Sequence, residues 1–382
     1  MTRKTKNVEG SENTRQSNIE LFRIVTMLTI VAHHFVVNSG LMAEDGPIYE
    51  APFSWRSIFL LIFGGWGKIG INCFVLITGY FMCTSSITVR KFVKILFEYM
   101  FYSITISSIF WITGYEPFSI LTLIKVLIPI RMIGTDFVNA FIVFFLFIPF
   151  LNILIRHIDE KQHVLLLLWC SFTYIFMGSV PIVLSVTMNY VSWFSVLYII
   201  ASYIRLYPKK IYTNKRLWLY TLSGFILIDS ISIIVCTQLG VLMNKNISYV
   251  FVTDSNVFLA VATGVSAFML FRNIELKNNK IINKIAASTF GVLLIHANSD
   301  TMRQWLWKDV FDNVGHYNSS LIPLYAIGSV LIIYITCSII DFLRIRFIEK
   351  PFFALWDNHW DHIDNIIRKK ESKFFYNLNI RE

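Results

Sequence analysis

The amino-acid sequence predicts an all-α, polytopic integral membrane protein with about ten transmembrane helices and both termini in the cytoplasm. Of its 382 residues, 55% are hydrophobic and only 15% are charged, against about 25% charged residues in a soluble domain. Apolar runs of roughly 20 residues, the length that crosses a bilayer as a helix, recur from end to end. No polar block is long enough for a separate soluble domain. We therefore predict a membrane domain at 18–345 between cytoplasmic tails at 1–17 and 346–382.

The apolar runs and the charges between them define the predicted topology. In chain order the predicted spans are 18–38, 60–82, 92–113, 138–155, 163–180, 188–206, 217–239, 255–271, 285–300 and 321–343. Connections rich in Lys and Arg alternate along the chain with connections that are poor in them. The basic segments are 1–17, 90–94, 156–161, 205–216, 272–284 and 344–350. Because basic loops stay in the cytoplasm, this alternation over ten spans places both termini there.

Charge and cysteine usage argue against other classes of protein. A net charge of +10 on a soluble protein would suggest a nucleic-acid partner. Here the basic residues lie in loops between spans, so the positive-inside rule explains them and we predict no nucleic-acid partner. The first 17 residues lack the apolar core of a signal peptide. The five cysteines lie in or beside apolar runs without metal-ligand spacing, so we predict buried free thiols and no metal.

Two connections and the last tail have apolar character. We expect residues 53–64 to lie on the outer surface before the second span. The sequence GGWGKIG at 64–70 should break the helix there and leave Lys68 near the interface. Residues 116–131 also predict a surface-lying segment, and the tail after 346 could lie on the inner face.

The first span carries ionisable residues that are costly in hydrocarbon. Arg23 and His34 are 11 positions apart, which in an α-helix is a rotation within ~20° of the same face and a rise of roughly 16 Å. Glu20 lies one turn before Arg23 on that face, whereas His33 points about 80° to one side. A charged group inside the membrane normally faces a cavity or a partner. We therefore expect a conduit between Arg23 and His34.

Such a conduit would suit a long ligand with an anionic head near Arg23 and a reactive end near His34. Coenzyme A thioesters have this shape. The alternatives are that Glu20 and Arg23 form a snorkelling ion pair at the interface, and that His33 and His34 make polar contacts between helices.

Other polar residues also lie inside predicted spans. Asn72 and Asp229 are candidates for a cavity. For Glu98 the simplest interpretation is a local ion pair with Lys94, one turn earlier on the same helix.

Several short motifs, in order, resemble those of the membrane acyltransferase 3 family. Arg23-x10-His34 resembles the family signature of the first span, and GINCFVLITGYFM resembles its F-x-x-S-G-Y stretch, with Thr78 in the serine place. The ninth span is similar to the family's FG-x-Y-L-I-H segment, with His296 matching the histidine. PFLN at 149–152 and FIEKPF at 347–352 also fit, so the resemblance covers about residues 18–352.

The chain departs from the family pattern at three places. The family's R-x-x-R pair after the second span is Arg90 followed by Val93, with Lys91 and Lys94 nearby. Lysine holds a phosphate as a point charge and lacks the bidentate fork of arginine. The family's Trp-Phe before the fourth span is Asp-Phe at 136–137. Leucine stands where the ninth-span motif has tyrosine.

The resemblance implies an O-acyltransferase of a bacterial inner or plasma membrane. It would move an acyl group, most simply acetyl, from cytoplasmic acyl-CoA to a hydroxyl of a cell-surface or lipid-linked carbohydrate. Acetyl-CoA would be a co-substrate, with no tightly bound cofactor. One alternative function is a transporter or flippase for a polysaccharide or lipid-linked sugar, although we find no matched halves with broken helices. A second is a non-catalytic sensor or assembly subunit, which would not need Arg23 and His34 on one face.

The resemblance also implies roles for particular residues. Arg23 would anchor the donor with help from Arg90, Lys91 or Lys94. The alternative is that these three are ordinary basic residues of a cytoplasmic connection. His34 would act as general base or accept the acyl group briefly. His296 would orient the acceptor or bond across helices. The predicted cavity residues are Glu20, His33, Asn72, Thr78, Asp229, Asn298 and Arg303.

Overall fold

The structure is a computed structural model that describes residues 15–128, 130, 136–180, 188–357, 359–360, 362–366 and 369–370. All regular secondary structure in these ranges is helical. The first nine helices are α1 (Ser17–Val37), α2 (Pro47–Glu50), α3 (Trp55–Gly64), α4 (Gly67–Met82), α5 (Val89–Thr113), α6 (Ile120–Leu127), α7 (Phe137–His157), α8 (Glu160–Cys170) and α9 (Met177–Ser179). The others are α10 (Tyr190–Leu206), α11 (Lys215–Met243), α12 (Phe258–Arg272), α13 (Lys280–Ala286), α14 (Thr289–His296), α15 (Asp300–Gln304), α16 (Ile322–Arg344) and α17 (Lys350–Leu355).

Irregular helical turns extend three of these helices. A π-helical turn at Ser171–Phe176 joins α8 to α9, and another at Trp305–Val310 follows α15. A third, at Ile345–Glu349, carries α16 into α17, so the last helical unit runs beyond the predicted span end at 343. A 3₁₀ turn at Lys210–Thr213 precedes α11.

The prediction of an all-helical, multi-pass membrane protein is confirmed for the described residues. Seven helical units are long and apolar enough to cross a bilayer: Ser17–Val37, Trp55–Met82, Val89–Thr113, Phe137–His157, Glu160–Ser179, Lys215–Met243 and Ile322–Leu355. The other three predicted spans coincide with shorter or bent helices. α10 has 17 residues and α12 has 15, about 26 and 22 Å at 1.5 Å per residue. The helical units around 280–310 form a pair bent by 95°. Ten crossings and two cytoplasmic termini stay predictions.

Helix α1 lies inside the bundle and not at its rim. It packs against α3, α4, α12, α13, α14 and α16. Helix α4 packs in turn against α10 and α12, and the core between them includes the fully buried Trp193, Phe194 and Tyr198. By contrast, α8 and α11 expose most of their apolar side chains, as expected of helices that face lipid. The first span is therefore surrounded by protein.

The predicted helix break at 64–70 is present between α3 and α4. His33 Nδ1 donates to the Gly64 carbonyl oxygen at 2.6 Å, so the histidine satisfies a carbonyl that the break releases. Gly67 lies so close to the imidazole that a Cβ there would be 2.2 Å from His33 Cγ. His33 therefore holds this joint. The preceding segment differs from prediction: α3 packs along α1 and α11 in the same candidate span as α4, and is not a surface segment.

Helix α6 lies where a surface segment was predicted. Its apolar side chains at Ile120, Leu121 and Ile124 are exposed, while Val126 is buried and its carbonyl oxygen accepts from Ser103. Residues 129 and 131–135 lie outside the described residues, as do 371–382 of the last tail.

A buried cluster of charges joins α5 to α16, and it corrects the prediction for Glu98. Arg344, with its side chain 2% exposed, lies 3.1 Å from Glu98, 2.8 Å from Asp341 and 2.7 Å from Glu349. Lys94 pairs with Glu349 at 2.7 Å and not with Glu98. Helix spacing predicted a local pair of Lys94 with Glu98, but the partner of Glu98 in the structure is Arg344 of the neighbouring helix.

This cluster also fixes the helix that carries His296. Asp341 packs against Gly291 of α14, where a Cβ would lie 2.2 Å from the carboxyl carbon. Tyr102 of α5 donates to Asp341 at 2.8 Å. Helices α5, α14 and α16 are therefore tied together five residues before His296 along α14.

Candidate active site

The centre of the candidate site is a pair of histidines from two different helices. His34 lies in the last turn of α1, and His296 is the last residue of α14. The two helices pack side by side, and His34 Nδ1 lies 3.0 Å from His296 Nε2. His296 is fully buried, whereas His34 keeps partial exposure. Two residues that are 262 positions apart, each predicted to be functional, are thus in direct contact.

The hydrogen bonds of the pair assign the tautomers. His296 Nδ1 lies 2.6 Å from the Val292 carbonyl oxygen, which can only accept, so this nitrogen carries a proton. In the neutral ring His296 Nε2 is then an acceptor, and His34 Nδ1 must donate to it. His34 Nε2 has no hydrogen-bond partner among the described residues, so its lone pair is free on the partly exposed side chain. This arrangement gives His34 a nitrogen that can remove a proton or attack a carbonyl carbon.

Arg23 lies at the other end of the same helix face. Its guanidinium pairs with Glu20 at 3.0 Å, and the arginine side chain is 25% exposed against 8% for the glutamate. Between Arg23 and His34, Met27 and Ile30 on that face are buried in side-chain packing. The face thus points into the bundle and not to lipid. The expected open conduit is filled by these side chains, which corrects that part of the prediction.

The predicted donor-binding cations after α4 each have a partner. Arg90 pairs with Asp357 at 2.6 Å, and Lys94 with Glu349 at 2.7 Å. Lys91 donates to the Ser86 carbonyl oxygen at 2.7 Å. Arg90 and Lys94 line a groove of about 780 Å³. Its other charged residues are Arg15, Lys284, Lys350, Glu349 and Asp357. The groove therefore has more cations than carboxylates.

Three other predicted cavity residues make contacts between helices. Asn72 is fully buried; its amide nitrogen donates to the Ser255 carbonyl oxygen at 2.7 Å, and its oxygen accepts from Trp193 at 3.0 Å. Asp229, also fully buried, accepts from Thr263 at 2.7 Å, while its second carboxylate oxygen has no hydrogen-bond partner among the described residues. His33 holds the α3–α4 joint, as described above. Of the three, only His33 contacts the histidine pair, with 5.8 Å between its ring centroid and that of His34.

The remaining predicted residues bond locally. Thr78 donates to the Phe74 carbonyl oxygen at 3.1 Å, and Asn298 donates to the Leu294 carbonyl oxygen at 3.0 Å. Arg303 pairs at 3.3 Å with Asp300, whose side chain is almost fully exposed. Because an exposed ion pair is weak, Arg303 keeps most of its positive charge available.

Lys68 is a functional candidate that sequence reasoning left at the interface. Its ammonium donates to the Tyr190 hydroxyl at 2.6 Å. Gly67, one residue before Lys68, packs against the His33 ring. The glycine-rich break at 64–70 was the available signal, because it ends α3 next to His33 and so places Lys68 at the start of α4 near the pair.

Comparison with known proteins identifies the family of the chain. An acyltransferase domain model, that of the acyltransferase 3 family, matches residues 16–340. No curated protein and no solved structure gives a significant match to the chain. The matched region contains both histidines, Arg23 and the whole bundle up to the last turn of α16. The chain therefore belongs to the membrane acyltransferase 3 family.

Proposed function

We propose that the protein moves an acyl group, most simply acetyl, from cytoplasmic acyl-CoA to a hydroxyl of a cell-surface or lipid-linked carbohydrate in a bacterial cell membrane. Family membership supports acyl transfer. The single observation that carries the proposal is the His34–His296 pair, which leaves one imidazole nitrogen free at a partly exposed position. Ten crossings with cytoplasmic termini, from the distribution of Lys and Arg, put Arg23 on the donor side.

In the proposed reaction His34 is the general base. Its Nε2 takes the proton of the acceptor hydroxyl as the oxygen attacks the thioester carbonyl carbon, which gives a tetrahedral oxyanion. The carbon–sulfur bond then breaks, and the thiolate leaves with the proton from His34 as coenzyme A. The acceptor keeps the acyl group as an ester, so protons and electron pairs balance.

His296 and the nearby cations have separate parts in this step. Once His34 is protonated, His296 Nε2 still accepts from His34 Nδ1 and stabilises the imidazolium without touching the substrate; His296 is therefore a positioning residue. Lys68 and Arg303 are the cations that would stabilise the oxyanion in this proposal. Both cations have weak or neutral partners, which keeps their charge available.

The donor has to span from the basic groove to the histidine pair. The groove near Arg90 and Lys94 offers cations for the phosphates of coenzyme A. A thioester arm that follows the Arg23–His34 face must displace Met27 and Ile30, because these side chains fill it. Donor binding in this proposal is therefore coupled to a rearrangement along α1.

Acetyl transfer by the purified protein tests the proposed function. The protein is reconstituted in lipid vesicles with radiolabelled acetyl-CoA and a panel of bacterial surface glycans. We expect label to move into glycan, with free coenzyme A released in equal amount and an acetyl increment in the mass of the glycan. Transport would be favoured instead if no acyl-CoA were consumed with any acceptor and glycan crossed the vesicle membrane.

The positioning role of His296 predicts a graded response to substitution. His296→Leu removes the acceptor for His34 Nδ1 and should lower kcat by about 10²-fold, the lower range for an effect on general base catalysis. Gln can place an oxygen near the former Nε2, so His296→Gln should recover most of kcat. Both rates are measured in the vesicle assay across pH. Equal losses in the two variants, with unchanged pH profiles, would show that His296 acts only through packing.

A further inference from the structure

Two arginines converge on one tyrosine at the end of the bundle where α1 begins. Arg205 Nη1 donates to the Tyr80 hydroxyl at 2.8 Å, and Arg272 Nε donates to the same oxygen at 3.1 Å. Both guanidinium carbons also lie over the Tyr80 ring, at 4.6 and 5.5 Å from its centroid. Arg205 lies in the last turn of α10, Arg272 ends α12, and Tyr80 lies in the last turn of α4.

Neither arginine has a carboxylate partner among the described residues. The ion pairs of these residues involve Arg23, Arg90, Lys94, Lys209, Arg303 and Arg344, but not Arg205 or Arg272. Arg272 Nη1 is buried without any hydrogen-bond partner in the described part of the chain. Among the described residues, Arg23, Arg90 and Lys94 each pair with a carboxylate, whereas Arg205 and Arg272 do not.

Two positive charges on one neutral hydroxyl leave the cluster short of an anion. The two guanidinium groups repel each other, and this repulsion is stronger near a protein than in bulk water. The carboxyl ends of α4, α10 and α12 supply partial negative charge, roughly half a unit each at most, which falls off within one turn. A phosphate would supply a full charge and oxygens that match the fork of each guanidinium. The Tyr80 hydroxyl accepts from both arginines and keeps its own proton to donate to such an oxygen.

The cluster lies at the same end of the bundle as Arg23. Asn18, near the start of α1, donates to the Arg272 carbonyl oxygen at 3.0 Å. Phe22, the residue before Arg23, stacks on Phe271 with 4.7 Å between ring centroids. A phosphate held by the arginine pair would therefore be at the level where the donor is expected to enter.

We infer that Arg205, Arg272 and Tyr80 form a binding site for a phosphate group. The phosphate comes either from coenzyme A, a case that rests on the proposed function, or from the headgroup of an anionic phospholipid. The chemistry of recognition is the same in both cases, and the two sources are separated by experiment.

The first arm measures binding of acetyl-CoA to detergent-solubilised protein by calorimetry. Arg205→Gln and Arg272→Gln should each raise Kd by at least about tenfold, since each removes a charge-assisted hydrogen bond to the phosphate. Acetyl-pantetheine, which lacks the nucleotide phosphates, should bind equally to wild type and variants. Arg216→Gln, at an exposed cation near the start of α11, is the matched control and should leave Kd unchanged.

The second arm measures phospholipid that copurifies with the protein, by native mass spectrometry. Loss of anionic phospholipid from both glutamine variants, with acetyl-CoA binding intact, assigns the site to lipid. Loss of acetyl-CoA binding with lipid unchanged assigns it to the donor. If neither acetyl-CoA binding nor copurified phospholipid changes, and both variants keep the Tm of the control, the inferred phosphate site is contradicted. This holds even if the protein transfers acetyl groups.

A third measurement uses wild-type protein and so tests the site even if the arginine variants do not fold. Inorganic pyrophosphate added to wild-type protein should raise its Tm by mass action, and Tyr80→Phe should reduce this shift because it loses the bridging hydroxyl. The absence of a shift with pyrophosphate, acetyl-CoA and anionic lipid alike would overturn the inference. If wild-type protein neither binds nor consumes acyl-CoA, the proposed function fails, and the lipid and pyrophosphate results still decide the site.

Discussion

His34→Ala is expected to lower the rate of acyl transfer by about 10³-fold or more while the protein still inserts and folds. His34 provides the free imidazole nitrogen, and removal of a general base commonly costs 10²–10⁴-fold. His296 cannot replace it, because its side chain is fully buried and its Nδ1 donates to the Val292 carbonyl oxygen. The rate is measured in vesicles at saturating acetyl-CoA and acceptor, so that weaker binding does not contribute.

The control for this variant is another histidine on the same bundle. His157 ends α7, is exposed, and among the described residues bonds only to the Ile153 carbonyl oxygen of its own helix. His157→Ala should transfer at the wild-type rate. Transfer by His34→Ala at a comparable rate would remove His34 from the mechanism. Labelled acetyl that stays on wild-type protein after incubation with donor alone would make His34 a nucleophile and not a base.

The histidine pair shows which part of the site local periodicity can predict. Helical spacing alone places Arg23 and His34 on one face of α1, and the depth of His296 in the ninth span follows from hydropathy. Their contact joins positions 262 residues apart. It depends on the packing of α14 against α1, which no local pattern encodes. The individual residues could therefore be predicted, whereas the tautomers and the free nitrogen required the structure.

The partners of charged residues show the opposite case. Glu98 and Lys94 are one turn apart, so local spacing favours a pair between them. In the structure each binds a residue of the last helical unit, Arg344 and Glu349. Arg205 and Arg272 similarly fit the distribution of basic loops, and only their convergence on Tyr80 distinguishes them.

The bend in the ninth predicted span could not be predicted from hydropathy. Hydropathy averages over a window and cannot show that a chain turns back within it. In the structure, helix α14 within the ninth predicted span ends at His296, and Ser299 then caps α15 by accepting from Met302. That cap starts a new helix direction, which gives the 95° bend. A Ser followed by Asp is a helix-start signal, but it lies inside an apolar context that the span count treated as continuous to residue 300.

Arg344→Met is expected to give the largest loss of stability of any single substitution considered. The arginine compensates three buried carboxylates, and removal of one partner from a buried ion pair typically costs about 3–5 kcal/mol. Glu98 loses its ion-pair partner among the described residues. Glu349 keeps its pair with Lys94, and Asp341 keeps its hydrogen bond from the Tyr102 hydroxyl. The measurement is Tm and the yield of folded protein in detergent. Because Asp341 packs on Gly291, loosening this cluster should also disturb α14 and slow acyl transfer.

Two companion variants separate charge compensation from simple loss of a side chain. Arg346→Met, two residues later at an exposed position, should change Tm little. Glu98→Gln combined with Arg344→Met should recover part of the lost Tm, because the double variant no longer buries the uncompensated carboxylate. If the double variant is no more stable than Arg344→Met alone, packing and not charge explains the loss. In that case the tie between α5, α14 and α16 is apolar, and the position of His296 depends on Gly291 and its neighbours instead of the ion cluster.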